Sequence, residues 1–231
     1  MTARIAGIGF DFDHTLGVDN GLERRALYEV AAEVERPISD RDEDLRVRVD
    51  ELLAGFRGGA FDMVEMLHRF SADLDIADVE PHRWRKRCYA LVDELVRPMP
   101  GALETIAHLR ERGVPLAILT NGWSPLQHMK IARAIGADAI DAVLVSDEIG
   151  AAKPERRAFD ALFDVFDGRR DEIWYVGDNP RTDVGGALAA GLRAMWFDWE
   201  GQTYPPDLPP PSGIIHALRE LEALTENASF P

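Results

Sequence analysis

The sequence predicts an α/β protein in which a parallel β-sheet is covered by helices on both faces and is interrupted by an inserted, all-helical domain. Two patterns support this prediction. Short, almost continuous apolar runs alternate with amphipathic helical segments along most of the 231-residue chain, as in sheets whose strands are buried on both faces. One long interval, residues 18–97, breaks this alternation and carries helical patterns alone.

Five apolar runs are the predicted strands of the sheet. Most segments between and after them repeat apolar side chains every three or four positions, which indicates helices that pack on the sheet through one face. Glycine follows several of these segments, at the position where helices commonly end. The predicted strands cover residues 5–10, 115–119, 142–145, 173–176 and 192–197, and the predicted helices cover residues 101–112, 124–135, 154–166, 182–190 and 214–224.

The interval 18–97 is predicted to form a helical domain of its own. Breaks containing glycine, proline or serine separate its helical patterns. The predicted helices of this interval cover residues 22–35, 40–54, 61–70 and 78–96. The chain is therefore expected to contain a core made of residues 1–17 and 98–231, with the helical domain 18–97 inserted between the two parts.

The charge balance excludes two classes of partner. The chain has 26 basic and 41 acidic residues, a net charge of −15. Nucleic-acid binders and proteins that bind anionic membranes need clustered positive charge, so neither class fits. Hydrophobic residues at 46% and charged residues at 29% are typical of a folded globular domain.

Targeting and redox signals point to a cytoplasmic protein. No apolar run reaches the roughly 18 residues that span a membrane. The N-terminal apolar run 5–10 meets Asp11 and Asp13 at once, unlike a signal peptide. Cys88 is the single cysteine, which excludes an intrachain disulfide and a multi-cysteine metal site. We expect a monomer or a homodimer.

The residues best suited to chemistry stand after the predicted strands. Ligands of parallel α/β sheets bind beyond the carboxyl ends of the strands, so these side chains are expected to share one pocket. The first strand is followed by Asp11 and Asp13, the second by Thr120, Asn121 and Gly122, the third, at a distance, by Lys153, and the fourth by Asp178 and Asp183.

These residue types together suit phosphate chemistry. Carboxylates gathered at one pocket repel each other unless a cation joins them, and a site of oxygen ligands favours Mg²⁺. A lysine, a threonine hydroxyl and loop amides can hold phosphate oxygens. Asp11 and Asp13 point to the same side of extended backbone, so one can attack phosphorus while the other protonates the leaving oxygen. Lys153 is one of three lysines among the basic residues, which makes its position notable.

Four segments, in this order, resemble the four motifs of the haloacid dehalogenase-like (HAD) superfamily. They are residues 9–16 (GFDFDHTL), 119–122 (LTNG), 153–154 (KP) and 177–183 (GDNPRTD). The similarity covers essentially the whole chain, because the helical insert after the first motif matches the cap domain of one large branch. The resemblance implies a Rossmann-like three-layer core with a helical cap, and a phosphatase that uses Mg²⁺.

The resemblance also implies roles for the catalytic residues. Asp11 would be the nucleophile that forms an aspartyl-phosphate. Asp13 would be the general acid and base, and its backbone carbonyl would also contact Mg²⁺. Lys153 would neutralise the charge between the nucleophile and the phosphate.

The binding residues follow from the same resemblance. Thr120, the Asn121 amide and Gly122 would hold the phosphoryl oxygens. Asp178 would bind Mg²⁺, and Asp183 would support the metal site or orient Lys153. The predicted metal site thus consists of Asp11, Asp13, Asp178 and Asp183.

Asp13 favours a phosphatase over a 2-haloacid dehalogenase of the same superfamily. An alkoxide leaving group needs a proton, whereas a halide does not, and the dehalogenases lack an acid/base aspartate at this position. A receiver-like signalling domain also gathers Asp, Thr and Lys around Mg²⁺, but the helical insert and Asp13 argue against it. The substrate is expected to be a small phosphorylated metabolite of the sugar phosphate, phosphoglycolate or nucleotide class.

Two further positions concern the pocket entrance. His14 stands where the superfamily usually has glycine, and it is a candidate to line the entrance. Arg57 and Phe56 lie in a glycine-rich break of the insert, in residues 55–59. Such cap loops often select the substrate in this superfamily, so Arg57 is a candidate substrate contact.

Overall fold

A computed structural model describes residues 3–34, 36–38, 42–226 and 228–230 of the chain. Contacts within the chain divide it into two units. One unit contains the described residues up to Val18 and from Arg97 onward, and the other contains Asp19–Val96. Two predicted helix boundaries, at Glu35 and Asp40, lie outside the described residues.

The first unit is built on a parallel sheet. Six strands lie in the order β6-β5-β2-β7-β8-β9, and every neighbouring pair is parallel. This sheet confirms the predicted α/β class with a Rossmann-like core. The strands are β1 (Ala3–Arg4), β2 (Gly7–Phe10), β3 (Gly17–Val18), β4 (Arg97–Pro98), β5 (Leu116–Thr120), β6 (Ala142–Val145), β7 (Ile173–Gly177), β8 (Arg193–Phe197), β9 (Gly213–Ile215) and β10 (Ala228–Ser229).

Two short strand pairs lie outside the central sheet. β1 pairs with β10 in parallel, and β3 pairs with β4 in antiparallel orientation. In the second pair, Val18 is the register partner of Arg97. The chain therefore leaves the first unit and returns to it at two adjacent strand ends.

One set of helices surrounds the sheet, and a separate set forms the second unit. Helices α1 to α4 belong to the second unit, and α5 to α10 belong to the first. Their bounds are α1 (Leu22–Glu33), α2 (Glu43–Arg57), α3 (Met63–Leu74), α4 (Pro81–Leu95), α5 (Ala102–Glu111), α6 (Leu126–Ile135), α7 (Ser146–Ile149), α8 (Arg156–Phe163), α9 (Gly186–Ala189) and α10 (Leu221–Thr225). None of the helices in the described ranges is both long and apolar enough to span a membrane.

The predicted helix over residues 214–224 is wrong at its start. Gly213–Ile215 instead forms the edge strand β9, which pairs with β8. The side chain of Ile215 is 4% exposed and that of Ile214 is 47% exposed, the alternation expected of a strand. Two consecutive β-branched residues favour this conformation. The helix is confined to α10, after a 3₁₀ turn at Leu218–Glu220.

The predicted helix over residues 182–190 begins earlier and with a wider turn. A π-helical segment, Pro180–Gly185, precedes α9. The Asn179 side chain accepts hydrogen bonds from the backbone N–H groups of Arg181 and Thr182, and this cap starts the turn. The segment brings Asp183 back beneath the end of β7.

The second unit packs around Trp84, which is fully buried. Its indole N–H donates to the carbonyl of Glu23 at 3.2 Å, linking α4 to α1. The Phe56 ring meets the Trp84 ring edge to face, with centroids 5.9 Å apart. Asp42 and Asp62 cap the N-termini of α2 and α3. These residues form a helical unit with its own apolar core.

Candidate active site

The carboxyl ends of three adjacent strands place the candidate residues. β2 lies between β5 and β7, so Asp11, which follows β2, has Thr120 on one side and Asp178 on the other. The Asp11 backbone N–H donates to the Val176 carbonyl at 2.8 Å. The parallel topology therefore gathers three of the sequence motifs at one edge of the sheet.

A tight turn follows Asp11. The Phe12 carbonyl accepts hydrogen bonds from the N–H groups of Leu16 and Gly17, both at 2.9 Å. His14 sits at the apex with φ of 61°, in the left-handed region that glycine usually occupies. The turn therefore closes without glycine. The His14 ring stacks on Trp199 with an interplanar angle of 5°.

Lys153 is the buried cation next to Asp11, with 3% of its side chain exposed. Its Nζ lies 2.7 Å from Asp11 Oδ1 and 2.8 Å from Asp183 Oδ1. It also donates to the Tyr175 hydroxyl at 3.0 Å. That hydroxyl donates in turn to the Leu119 carbonyl at 2.7 Å. The lysine is thus held against the candidate nucleophile Asp11 by Asp183 and Tyr175, which come from two other segments.

The carboxyl groups hold more negative charge than Lys153 neutralises. Burial raises the pKa of Asp11 from 3.8 to about 7, although Lys153 lowers it. Burial, with the charges of Asp183 and Asp11, raises the pKa of Asp178 to about 8. Burial disfavours the charged form of Lys153, but the two carboxylates outweigh this, so its pKa lies well above the usual value. An additional cation would relieve the repulsion.

Three aspartates provide the oxygen atoms for such a cation. Asp11, Asp178 and Asp183 each offer a carboxylate oxygen, and these atoms lie within 4.8 Å of one another. A set of hard oxygen donors fits a divalent cation. Asp183 already accepts hydrogen bonds from Lys153 and from the Asn179 backbone N–H at 2.9 Å. Its position favours the predicted role of orienting Lys153.

The loop after β5 is tied to the lysine segment. Asn121 Oδ1 accepts from the Lys153 backbone N–H at 2.8 Å, and Asn121 Nδ2 donates to the Lys153 carbonyl at 2.9 Å. The Gly122 N–H donates to the Ser146 hydroxyl at 3.0 Å. These bonds fix the loop that carries Thr120. As a result, the Asn121 side chain and the Gly122 backbone N–H already form hydrogen bonds within the protein.

Asp13 points to helix α6. Its Oδ1 accepts from Lys130 Nζ at 2.5 Å, and its Oδ2 accepts from Gln127 Nε2 at 2.9 Å. Its carboxylate does not belong to the acidic cluster that the described residues form. For the predicted metal site, the backbone carbonyl of Asp13 remains the group to test.

A family model for haloacid dehalogenase-like hydrolases matches residues 5–191. The chain belongs to this family. It is 30% identical over 223 residues to the pyrimidine 5′-nucleotidase YjjG of Escherichia coli (strain K12), covering 94% of this chain and 96% of the relative. The family and this relative support a hydrolase of the phosphatase type.

Solved structures share the fold of this HAD-like hydrolase. The HAD hydrolase YfnB of Bacillus subtilis, bound to magnesium, superposes with a TM-score of 0.77 at 23% identity, covering 96% of this chain and 99% of that one. The L-2-haloacid dehalogenase of Xanthobacter autotrophicus superposes with a TM-score of 0.72 at 20% identity, covering 95% and 98%. The fold alone therefore does not separate a phosphatase from a dehalogenase, because a dehalogenase shares it, and the side chains must decide.

Sequence reasoning missed four residues of the HAD-like hydrolase's site. Lys130, Gln127, Tyr175 and Ser146 all contact predicted site residues. Tyr175 and Ser146 lie in or beside apolar strand runs, and no motif singles them out. Lys130 carried a usable signal, because lysine is rare in this chain.

Arg57 belongs to the second unit, at the end of α2, so the predicted break over residues 55–59 is wrong for residues 55–57, which are helical. Its guanidinium pairs with the carboxylate of Glu23, which is 3% exposed, and its Nε donates to Glu23 Oε2 at 2.5 Å. This pair fixes the guanidinium on the helical unit. A substrate contact by Arg57 stays a prediction.

Proposed function

We propose that this HAD-like hydrolase is a Mg²⁺-dependent phosphatase that hydrolyses a small phosphomonoester through an aspartyl-phosphate. The single observation that supports it most is the Asp13 carboxylate, two residues after the candidate nucleophile, held by two donors of α6. A halide leaving group has no use for a proton donor, whereas an alkoxide requires one. The acidic cluster of Asp11, Asp178 and Asp183 supports the metal requirement.

The first half-reaction forms the covalent intermediate. A carboxylate oxygen of Asp11 attacks phosphorus, and a new O–P bond forms as the bond to the leaving oxygen breaks. Asp13 gives its proton to that leaving oxygen, which departs as an alcohol. Lys153 holds the attacking carboxylate in place, and Thr120 donates to a phosphoryl oxygen. Asp11, Asp178 and the backbone carbonyl of Asp13 would hold Mg²⁺. When bound, Mg²⁺ would offset the negative charge of the phosphoryl oxygens.

The second half-reaction restores the enzyme. Asp13, now a carboxylate, takes a proton from water while the water oxygen forms a bond to phosphorus. The bond between Asp11 and phosphorus breaks, which releases phosphate and the Asp11 carboxylate. Asp13 is then protonated again, as the first step requires.

A substrate screen with a nucleophile variant tests the proposal. Purified protein with Mg²⁺ is assayed for phosphate release from nucleoside monophosphates, sugar phosphates and phosphoglycolate. The relative YjjG, named a pyrimidine 5′-nucleotidase, puts the nucleotides first in the screen. Asp11→Asn should abolish release of phosphate from every active substrate. The matched control Asp167→Asn, at an exposed position, should retain it.

Two results would overturn the proposal. The first is phosphate release by Asp11→Asn at the wild-type rate. The second is chloride release from 2-chloropropionate in the presence of EDTA, which would identify a dehalogenase instead.

A further inference from the structure

Two neighbouring side chains of α6 hold both oxygens of the Asp13 carboxylate. Lys130 Nζ lies 2.5 Å from Oδ1, and Gln127 Nε2 donates to Oδ2 at 2.9 Å. The two residues are three positions apart, so they share one face of the helix. Both side chains are buried, at 1% and 3% exposure. A carboxylate held at both oxygens by buried donors has a fixed plane and direction.

The burial of Lys130 makes this contact costly for the fold. Its ammonium lies 5.8 Å from the centre of the Phe12 ring and is shielded from water. A buried ion pair commonly stabilises a protein no more than apolar residues of the same shape would. Stability alone therefore does not account for this pair, and its effect on the chemistry of Asp13 is the alternative.

Gln127 also joins Asp13 to the phosphate-binding loop. Its Nε2 carries two protons, and it donates to Thr120 Oγ1 at 2.7 Å as well as to Asp13. Thr120 can then direct its own O–H proton to a phosphoryl oxygen. The Gly122 backbone lies so close that an added Cβ would come 2.8 Å from Gln127 Cγ. One amide group thus sets the distance between the proton donor and the hydroxyl that binds phosphate.

We propose that Lys130 and Gln127 are positioning residues that aim the Asp13 carboxyl group at the leaving oxygen of the substrate. This inference rests on the proposed phosphatase function. Orientation of a catalytic group before the substrate arrives removes an entropic cost from the reaction. Loss of Lys130 or Gln127 should therefore weaken proton transfer to the leaving group more than any other step.

The dependence of rate on the leaving group isolates this effect. The p-nitrophenolate ion leaves readily without a proton, whereas an alkoxide needs one. The ratio of kcat/KM for an alkyl phosphate to kcat/KM for p-nitrophenyl phosphate therefore reports on proton donation, since kcat/KM includes no step after the leaving group departs. In Lys130→Met we expect this ratio to fall at least about tenfold, a part of the 10²- to 10⁴-fold effect that a general acid typically contributes, because Asp13 itself is retained.

Control variants separate positioning from folding. Lys86→Met removes an exposed lysine of the second unit and should leave the ratio at the wild-type value. Lys130→Arg retains a cation and should recover most of the ratio. Gln127→Leu carries the same prediction as Lys130→Met, so misfolding of one variant, detected by circular dichroism, leaves the other to decide.

Each outcome decides the inference. Equal loss on both substrates in Lys130→Met and Gln127→Leu would assign the pair a structural role and overturn it, as would an unchanged ratio. Absence of phosphatase activity in the wild-type protein would overturn the proposed function, and the inference with it. Wild-type activity with an unchanged ratio in the variants would overturn the inference alone.

Discussion

Lys153 is the residue on which the charge of the site depends. Its ammonium contacts Asp11 and Asp183, and all three groups are buried. Removing one partner of a buried ion pair leaves the other charge unpaired, which typically costs about 3–5 kcal/mol. Lys153→Met should therefore lower the free energy of unfolding by about 3 kcal/mol at pH 8 and abolish phosphate release.

Urea unfolding in EDTA measures this loss. Lys86→Met is the matched control, because Lys86 is exposed, and its unfolding curve should overlay that of the wild-type protein. Unchanged stability of Lys153→Met would contradict the ion-pair network described for the site.

The raised pKa values of Asp11 and Asp178 predict how metal-free stability changes with pH. Their folded pKa values, about 7 and about 8, exceed the usual 3.8, so the folded chain holds these protons more tightly than the unfolded chain does. Stability supplied by the two groups is therefore full below about pH 4 and is lost as the pH rises to about 8. Asp178→Asn removes one of the two groups.

In EDTA, Asp178→Asn should be more stable than the wild type at pH 8, by on the order of 1 kcal/mol or more, since one pKa unit corresponds to about 1.4 kcal/mol. At pH 4 the difference should vanish. Urea unfolding at the two pH values checks this, with Asp167→Asn as the control. A variant less stable than the wild type at pH 8 would show that the Asp178 carboxylate is not strained in the metal-free protein.

At the scale of elements, the two hydrogen bonds of Asn121 join the loop after β5 to the segment before α8. Asn121→Ala leaves the Lys153 N–H and carbonyl unpaired, which typically costs about 1–3 kcal/mol. The amide of Lys153 should then exchange with solvent faster, and phosphatase activity should fall because the lysine loses its anchor.

Hydrogen exchange resolved at Lys153 measures this change. The amides of β7, such as that of Tyr175, provide an internal reference that should keep its protection. Slow exchange at Lys153 in Asn121→Ala would mean that another contact holds the segment.

The elements also show where sequence patterns suffice. Five strands of the central sheet can be predicted from the sequence, because continuous apolar runs bounded by polar residues have few alternatives. The edge strand β9 cannot be predicted in this way. It contains only three residues, too few to show a periodic pattern, and the residues that follow it have the spacing of a helix. The π-helical segment at Pro180–Gly185 depends on the Asn179 cap, which is a local hydrogen bond rather than a periodicity.

At the scale of the whole molecule, cation binding should be visible as stability. A ligand that binds only the folded state stabilises it by RT ln(1 + [L]/Kd), where [L] is the free ligand concentration. Mg²⁺ should therefore raise the Tm of the wild-type protein relative to EDTA, and more at pH 8 than at pH 5, since protons compete for the same carboxylates.

Thermal unfolding with and without Mg²⁺ at both pH values tests this expectation. Asp178→Asn should abolish most of the increase, and Asp167→Asn should retain it. An equal increase in Asp178→Asn would place the cation elsewhere.

The sequence predicts the motif-bearing site residues, because three of the four motifs stand directly at strand ends, which must converge when the strands are parallel. It does not predict their supporting partners. Lys130 and Gln127 reach Asp13 across more than a hundred positions of sequence, through the packing of α6. In the sequence, Tyr175 is indistinguishable from the apolar residues of its strand. In the structure, its hydroxyl accepts from Lys153 and donates to the Leu119 carbonyl. Such contacts depend on tertiary geometry that no local pattern encodes.

The pairing of Val18 with Arg97 bears on how such proteins diversify. The inserted segment begins and ends at two neighbouring positions of the first unit. The distance between these two positions therefore does not depend on the length of the segment. A turn of a few residues would close the same gap. Segments of other sizes can therefore replace it at this junction, by recombination or by design, while the strands that position the site residues keep their order and pairing.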